Sequence, residues 1–290
     1  GDFNVAAGDD FTNTGDLDLT GAGNTEIDGT ITTVEGGETK YDDLTIGPDG
    51  TDIVEAGGRE EGDILDLTGA DSTDKDPWQV AEGGESHWNE VWDADGTNDG
   101  TITVGTGEHP DDDGDGKADD GDFNVAAGDD FTNTGDLDLT DAGNTEVDGT
   151  VTTGEGGTTK YDDLTVNPDG NVTVEAGGSD SGDILDLTPG GDYGIEDGGK
   201  ADWNEIWGGR GEGDPAAPDP SEGGGPFTND GDATVDKVVV GEGGEFGNTG
   251  RLGGGELEIG AGGLVNITGG STDFEKTTTD RGGGLVVGNG

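Results

Sequence analysis

The sequence predicts an all-β protein, built either as a parallel β-solenoid-like stack or as tandem β-sandwich repeats, with acidic, Gly-rich connectors. Three observations predict it. Short segments alternate polar and apolar residues, glycine-rich turns separate them, and long stretches of the chain repeat themselves. Asp16-Leu17-Asp18-Leu19-Thr20, Thr101-Ile102-Thr103-Val104, Asn171-Val172-Thr173-Val174 and Glu256-Leu257-Glu258-Ile259 carry the alternation. A period of two is that of a strand with one buried face. Gly36-Gly37, Pro48-Asp49-Gly50, Gly57-Gly58 and Gly262-Gly263 supply the turns.

The repeats divide the chain. Residues 1–68 and 121–188 align without a gap at an offset of 120, with 55 identities in 68. Most exchanges are Ile for Val (Ile27 and Val147, Ile31 and Val151, Ile46 and Val166) or polar swaps that read as surface changes. Ile and Val are both β-branched, so the two copies should share one fold. The copies diverge beyond this and converge again on Trp88-Asn89-Glu90-Val91-Trp92 and Trp203-Asn204-Glu205-Ile206-Trp207. The expected organisation is a first β unit (1–104), an acidic connector (105–120), a second β unit (121–207), a Gly/Pro linker with four prolines (208–226), and a degenerate third β unit (227–290). A shorter signature, Phe-x-Asn-x-Gly, starts at Phe11, Phe131, Phe227 and Phe246. The last two lie 19 residues apart, close to the length of one solenoid coil. A sandwich of about 90 residues per unit is the competing arrangement.

Composition sets the environment. Of 290 residues, 65 are glycine, 26% are hydrophobic, and the formal net charge is −58. Such figures belong to many disordered chains, but those lack a regular apolar alternation. A solenoid accommodates them, because each coil buries a few side chains against its neighbours. No apolar run reaches the roughly 20 residues of a membrane span. Eleven basic residues against 69 acidic ones argue against nucleic acid as a partner. The absence of cysteine excludes disulfides and thiolate chemistry. At molar salt the Debye length falls to about 3 Å, so a carboxylate surface stops repelling itself.

With its many Asp and Glu and only seven Lys and four Arg, the chain resembles secreted and cell-surface proteins of extreme halophiles. The glycine-cornered rhythm from Gly250 to Gly270 is similar to β-helical adhesins, passenger domains of surface proteins and extracellular filament subunits. An acidic, calcium-loaded surface protein from an ordinary marine source is the alternative. The resemblance implies an extracellular or cell-surface location.

One motif points to a metal. Asp111-Asp112-Asp113-Gly114-Asp115-Gly116-Lys117-Ala118-Asp119-Asp120-Gly121-Asp122 places acids at positions 1, 3, 5, 9 and 12 of a calcium loop and a glycine at position 6. The expected ligands are Asp111, Asp113, Asp115, the Lys117 carbonyl, Asp119 and Asp122. The twelfth position is Asp rather than the longer Glu, and no helical pattern flanks the loop. Asp93-Ala94-Asp95-Gly96-Thr97-Asn98-Asp99 is a weaker echo.

Trp78, Trp88, Trp92, Trp203 and Trp207 read as core bulk, with sugar stacking as the alternative. A glycosidase would need two placed acids, and the neighbours of Trp88 offer only Glu90. His87 and His109 read as surface residues, since their spacing is not that of a zinc site. Asn171 and Asn266 open glycosylation sequons. Without an initiating Met, Gly1 is expected to begin a mature product or a piece of something longer.

These readings converge on a non-enzymatic extracellular structural protein, either a self-assembling filament or fibre subunit or an adhesin stalk, with calcium in its connector and glycans as further candidates for partners. A carbohydrate-binding or carbohydrate-cleaving β-helix protein and a viral tail fibre are the alternatives.

Overall fold

The computed structural model describes residues 1–68, 76–105, 122–208 and 224–288. It is a β-solenoid: its strand pairs run parallel and stack coil upon coil. Antiparallel pairing would mark a sandwich, so the solenoid is the arrangement adopted. The chain forms two compact units, Gly1–Thr145 with Gly157–Lys160, and Glu146–Gly156 with Tyr161–Gly290.

In the first unit, one face stacks Asp10–Asn13, Thr30–Thr33, Thr51–Val54, Trp78–Val80, Gly96–Asn98 and Asp130–Asn133. The early coils complete their circuit with separate short strands, such as Glu38–Lys40 and Asp43–Ile46, both of which pair with the longer Arg59–Asp66. In the second unit, four-residue strands (Asn171–Val174, Asp192–Ile195, Pro226–Asn229, Glu245–Asn248, Leu264–Ile267, Gly284–Val287) alternate with nine-residue strands such as Ser179–Leu187 and Lys200–Gly208. Phe227 and Phe246 are register partners, so the 19-residue spacing is one coil.

Glycine doublets make a corner in many of the coils. Gly57 has a φ of 74°, which favours glycine, and its N–H bonds to the Gly83 carbonyl of the next coil at 2.8 Å. At the second glycine, Gly58, a Cβ would lie 2.4 Å from the Thr33 carbonyl oxygen. The doublet thus reflects a backbone turn followed by a close approach. At another corner the alternation slips by one residue, so Trp203 and Ile206 both face inward around Asn204.

The inner side chains form ladders along the coils. In the second unit, Val172, Tyr193, Phe227, Phe246 and Val265 are successive register partners. The Phe227 and Phe246 rings stack at 4.6 Å with 8° between planes, and Tyr193 continues the stack to Phe227 at 5.6 Å. Two residues on, the Asn of the Phe-x-Asn-x-Gly signature also points inward. Asn229 Nδ2 donates to Asn248 Oδ1, and Asn98 Nδ2 to Asn133 Oδ1, each at 2.8 Å. Asn13 and Asn133 also accept from the N–H of Gly15 and Gly135, closing the turn that follows. Each buried amide is worth about 1 kcal/mol net while bonded and costs more if stripped of its partner.

Trp88 reaches across a glycine. Its register partner in the preceding coil is Gly62, and over that glycine its ring stacks on Tyr41 at 5.5 Å and 22°. The second copy repeats this with Trp203, Gly182 and Tyr161 at the same distance and angle. A Cβ at Gly62 would sit 2.2 Å from Trp88 Cζ3. Gly62→Ala should therefore lower stability by about 1–3 kcal/mol in thermal or denaturant unfolding. Trp88→Leu should relieve most of that increment, and equal costs in both backgrounds would contradict the clash.

Candidate functional sites

The expected calcium ligands Asp111, Asp113, Asp115, Lys117 and Asp119 lie outside the described residues, as does His109. Asp122 is described and stands exposed at the start of Asp122–Val125. The weaker echo does not curl into a loop. Gly96–Asn98 is a strand paired on both sides, and Asp99 accepts a hydrogen bond from the Thr134 hydroxyl. Its two leading acids instead crowd others: burial first, then the charge of Asp129, pushes Asp95 up to about 6. Burial, followed by Asp93 and Asp130, does the same to Asp129.

An acidic corner in the second unit was not singled out by the sequence. Asp162, Asp163 and Asp183 bring carboxylate oxygens within 4.8 Å of one another. Asn204 Nδ2 donates to Asp183 at 2.5 Å. The first unit places Asp63 and Asn89 at the matching positions, with the same hydrogen bond at 2.7 Å. The gapless repeat contained that signal, since Asp42, Asp43 and Asp63 recur as Asp162, Asp163 and Asp183.

The tryptophans are core residues with one exception. Trp78, Trp88, Trp203 and Trp207 are buried, whereas Trp92 is 36% exposed. With Trp88 and Trp203 enclosed, neither offers a ring face to a sugar. His87 is partly buried beside Arg59, whose Nη1 lies 2.8 Å from His87 Nε2. Burial, then the Arg59 charge, lowers its pKa. With Lys40, Glu61 and Tyr41, these residues line a cavity of about 340 Å³. Its cations are paired: Lys40 with Glu38 at 3.1 Å, Arg59 with Glu85 at 2.8 Å and with Glu61 at 3.2 Å. Asn171 is exposed at the head of its strand and Asn266 partly exposed within Leu264–Ile267.

A buried acid pair is the largest departure from the sequence reading. Asp52 and Glu60 align with Val172 and Asp180 in the second copy, and neither was singled out from the sequence. Both are fully buried. Thr33 Oγ1 donates to Glu60 at 2.5 Å, and Thr33 and Thr39 share a 2.7 Å hydrogen bond. As two carboxylates they would leave Glu60 Oε2 without a donor and Asp52 with little beyond the backbone N–H of Ile53. Their mutual hydrogen bond requires one shared proton. Burial pushes Asp52 up to about 7, and burial followed by the Asp52 charge pushes Glu60 well above the ordinary carboxylate range. The second copy resolves the position differently. Val172 replaces one acid, and Tyr193 Oη donates to Asp180 at 3.0 Å while accepting from Trp203 Nε1 at 3.3 Å.

No family model matches the chain, and no curated protein gives a significant match. Among solved structures it is similar to a crystal structure of the TibC-catalyzed hyper-glycosylated TibA55-350 fragment. The match has 18% identity, covers 99% of this chain and 95% of that one, and has a TM-score of 0.45. No helix among the described residues is long and apolar enough to cross a membrane.

The acid pair makes stability depend on pH in a definite direction. Both groups have folded pKa values above their unfolded ones. Their contribution is complete below the unfolded range near pH 4. That of Asp52 is lost as the pH rises through about 7, and that of Glu60 as it rises well past the ordinary carboxylate range. Asp52→Val, the residue of the second copy, should raise stability at pH 8 by about 1–4 kcal/mol. The gain should shrink towards pH 4 in thermal unfolding series. A pH-independent difference would contradict the shared proton.

Proposed function

We propose that this chain is a non-enzymatic structural protein of the cell exterior, acting as an adhesin stalk or filament subunit in concentrated salt. The observation that carries this reading is the division of labour between the inward and outward positions of the coils. Inward positions are filled by aromatic, β-branched and amide side chains in register, as with Phe227, Phe246 and Val265. Outward positions of the neighbouring strands are polar and often acidic, with Asp202, Glu205, Asp232 and Asp236 beside Lys200, Asn204, Thr234 and Lys237 in Lys200–Gly208 and Asp232–Val240. A block of coils repeated with so little change presents the same hydrated, anionic face twice. That suits a scaffold better than a single cleft. The charge is tolerated when salt shortens the reach of repulsion to a few ångströms, and it keeps the surface hydrated.

Two parts of the reading rest on sequence alone. Calcium is the proposed ion of the Asp111–Asp122 connector, on the spacing of its acids, and equilibrium dialysis of the chain against calcium measures it. Glycans are proposed at Asn171 and Asn266, whose side chains lie at or near the surface.

Immunogold labelling of intact cells of the source organism, kept in their growth brine, tests the location. The proposal predicts label on the outer surface of unbroken cells. Label that appears only after cells are opened would contradict it.

A further inference from the structure

We propose that Asp93, Asp95 and Asp129 form a divalent-cation site within the first unit, of the all-oxygen kind that takes calcium, assembled from the corners of two successive coils.

Stacking brings the acids together. Gly96, Thr97 and Asn98 pair in register with Phe131, Thr132 and Asn133, so Asp95 and Asp130 enter their strands side by side. Val91 pairs with Phe123 in the other sheet of the same two coils. The corner between Trp92 and Gly96 therefore lies against the corner between Val125 and Asp130. Asn124 fixes the first corner: its Oδ1 accepts from the Asp93 N–H at 2.6 Å and its carbonyl from the Ala94 N–H at 2.7 Å. The Asp129 N–H closes the second on the Ala126 carbonyl at 3.0 Å. In a calcium loop the ligands follow one another along the chain. Here the two acids of Asp93-Ala94-Asp95 find their third across the ladder, in Asp129.

One oxygen at this corner is unanswered. Asp95 is 5% exposed, and its Oδ2 is buried with no hydrogen-bond donor. The carboxylate takes a hydrogen bond from the Asp130 backbone N–H, which leaves the other oxygen to a proton or a cation. Half-buried Asp93 and Asp129 supply further oxygens beside it. Burial and then like charge raise the pKa of all three acids. Among the described residues those charges are carboxylates: Asp129, Asp76 and Asp130 around Asp95, Asp93 and Asp130 around Asp129, and Asp66 beside Asp93.

The oxygens of Asp162, Asp163 and Asp183 lie closer together, but none of them is both buried and without a donor. An answered oxygen does not require an ion; that of Asp95 does. A ligand set of carboxylates without sulfur or imidazole selects a hard cation. Calcium accepts an irregular shell of about six to eight oxygens that includes water, which suits acids spread over two coils.

Equilibrium dialysis of the 290-residue chain against radioactive calcium in about 1 M NaCl, where diffuse counterion binding is screened, tests this. A chain carrying Asp113→Asn and Asp115→Asn, which disables the proposed connector site, serves as the background. Circular dichroism verifies that every variant is folded. The background chain should bind calcium saturably with a Kd on the order of 0.1–1 mM. Adding Asp95→Asn or Asp129→Asn should each weaken that binding by about tenfold or more, or remove one equivalent. Should Asp95→Asn unfold the chain, Asp129→Asn at its half-buried position carries the test. The absence of saturable binding in the background chain overturns the proposal, as does unchanged affinity and stoichiometry in either folded variant. The connector proposal is decided separately, by comparing the wild type with the background, and the surface labelling depends on neither.

Discussion

Coil-on-coil hydrogen bonding in register is the interaction on which the rest of this structure depends. A chain with 26% hydrophobic residues cannot build a wide core. It can build a narrow one if each inward side chain meets its counterpart above and below. The parallel ladder enforces that meeting, because one residue of slip would turn the acids inward. Phe227 on Phe246, and Asn229 on Asn248, are direct products of register.

Within that constraint, many of the interior's polar groups are answered by the neighbouring coil. The signature asparagines bond to each other or to the next coil's threonines, as Asn13 does to Thr39. Asp180 is answered by a tyrosine. Asp52 and Glu60 are answered by each other through a shared proton, and Glu60 also by the Thr33 hydroxyl. The glycine beneath each stacked tryptophan follows the same logic. A ring spanning two coils needs the intervening position to carry no side chain at all.

Much of this was legible in the sequence. Alternation, glycine doublets and the 19-residue spacing together specified stacked strands, and the Ile/Val exchanges marked buried positions correctly. The buried acids were missed because charge was read as exposure. Phase would have corrected that reading. Asn171-Val172-Thr173-Val174 places Val172 inward, and the gapless repeat assigns the same direction to Asp52. The pairing of Trp88 with Gly62 was invisible for another reason: it depends on which residues share a register position across coils, and the local pattern does not encode that. The choice between solenoid and sandwich also needed the strand direction, which alternation leaves open.

The same division between an answered interior and an anionic exterior explains how a net charge of −58 coexists with a sparse core. Repulsion among outward acids opposes stacking, and mobile ions relieve it. Thermal unfolding followed by circular dichroism across a series of NaCl concentrations measures this balance most directly. The account predicts a midpoint that climbs steeply up to roughly 1 M, where the Debye length is still shrinking, and more slowly above it. A midpoint that stays flat from about 0.1 M upward would mean that the acids do not oppose the stack, and would contradict the account.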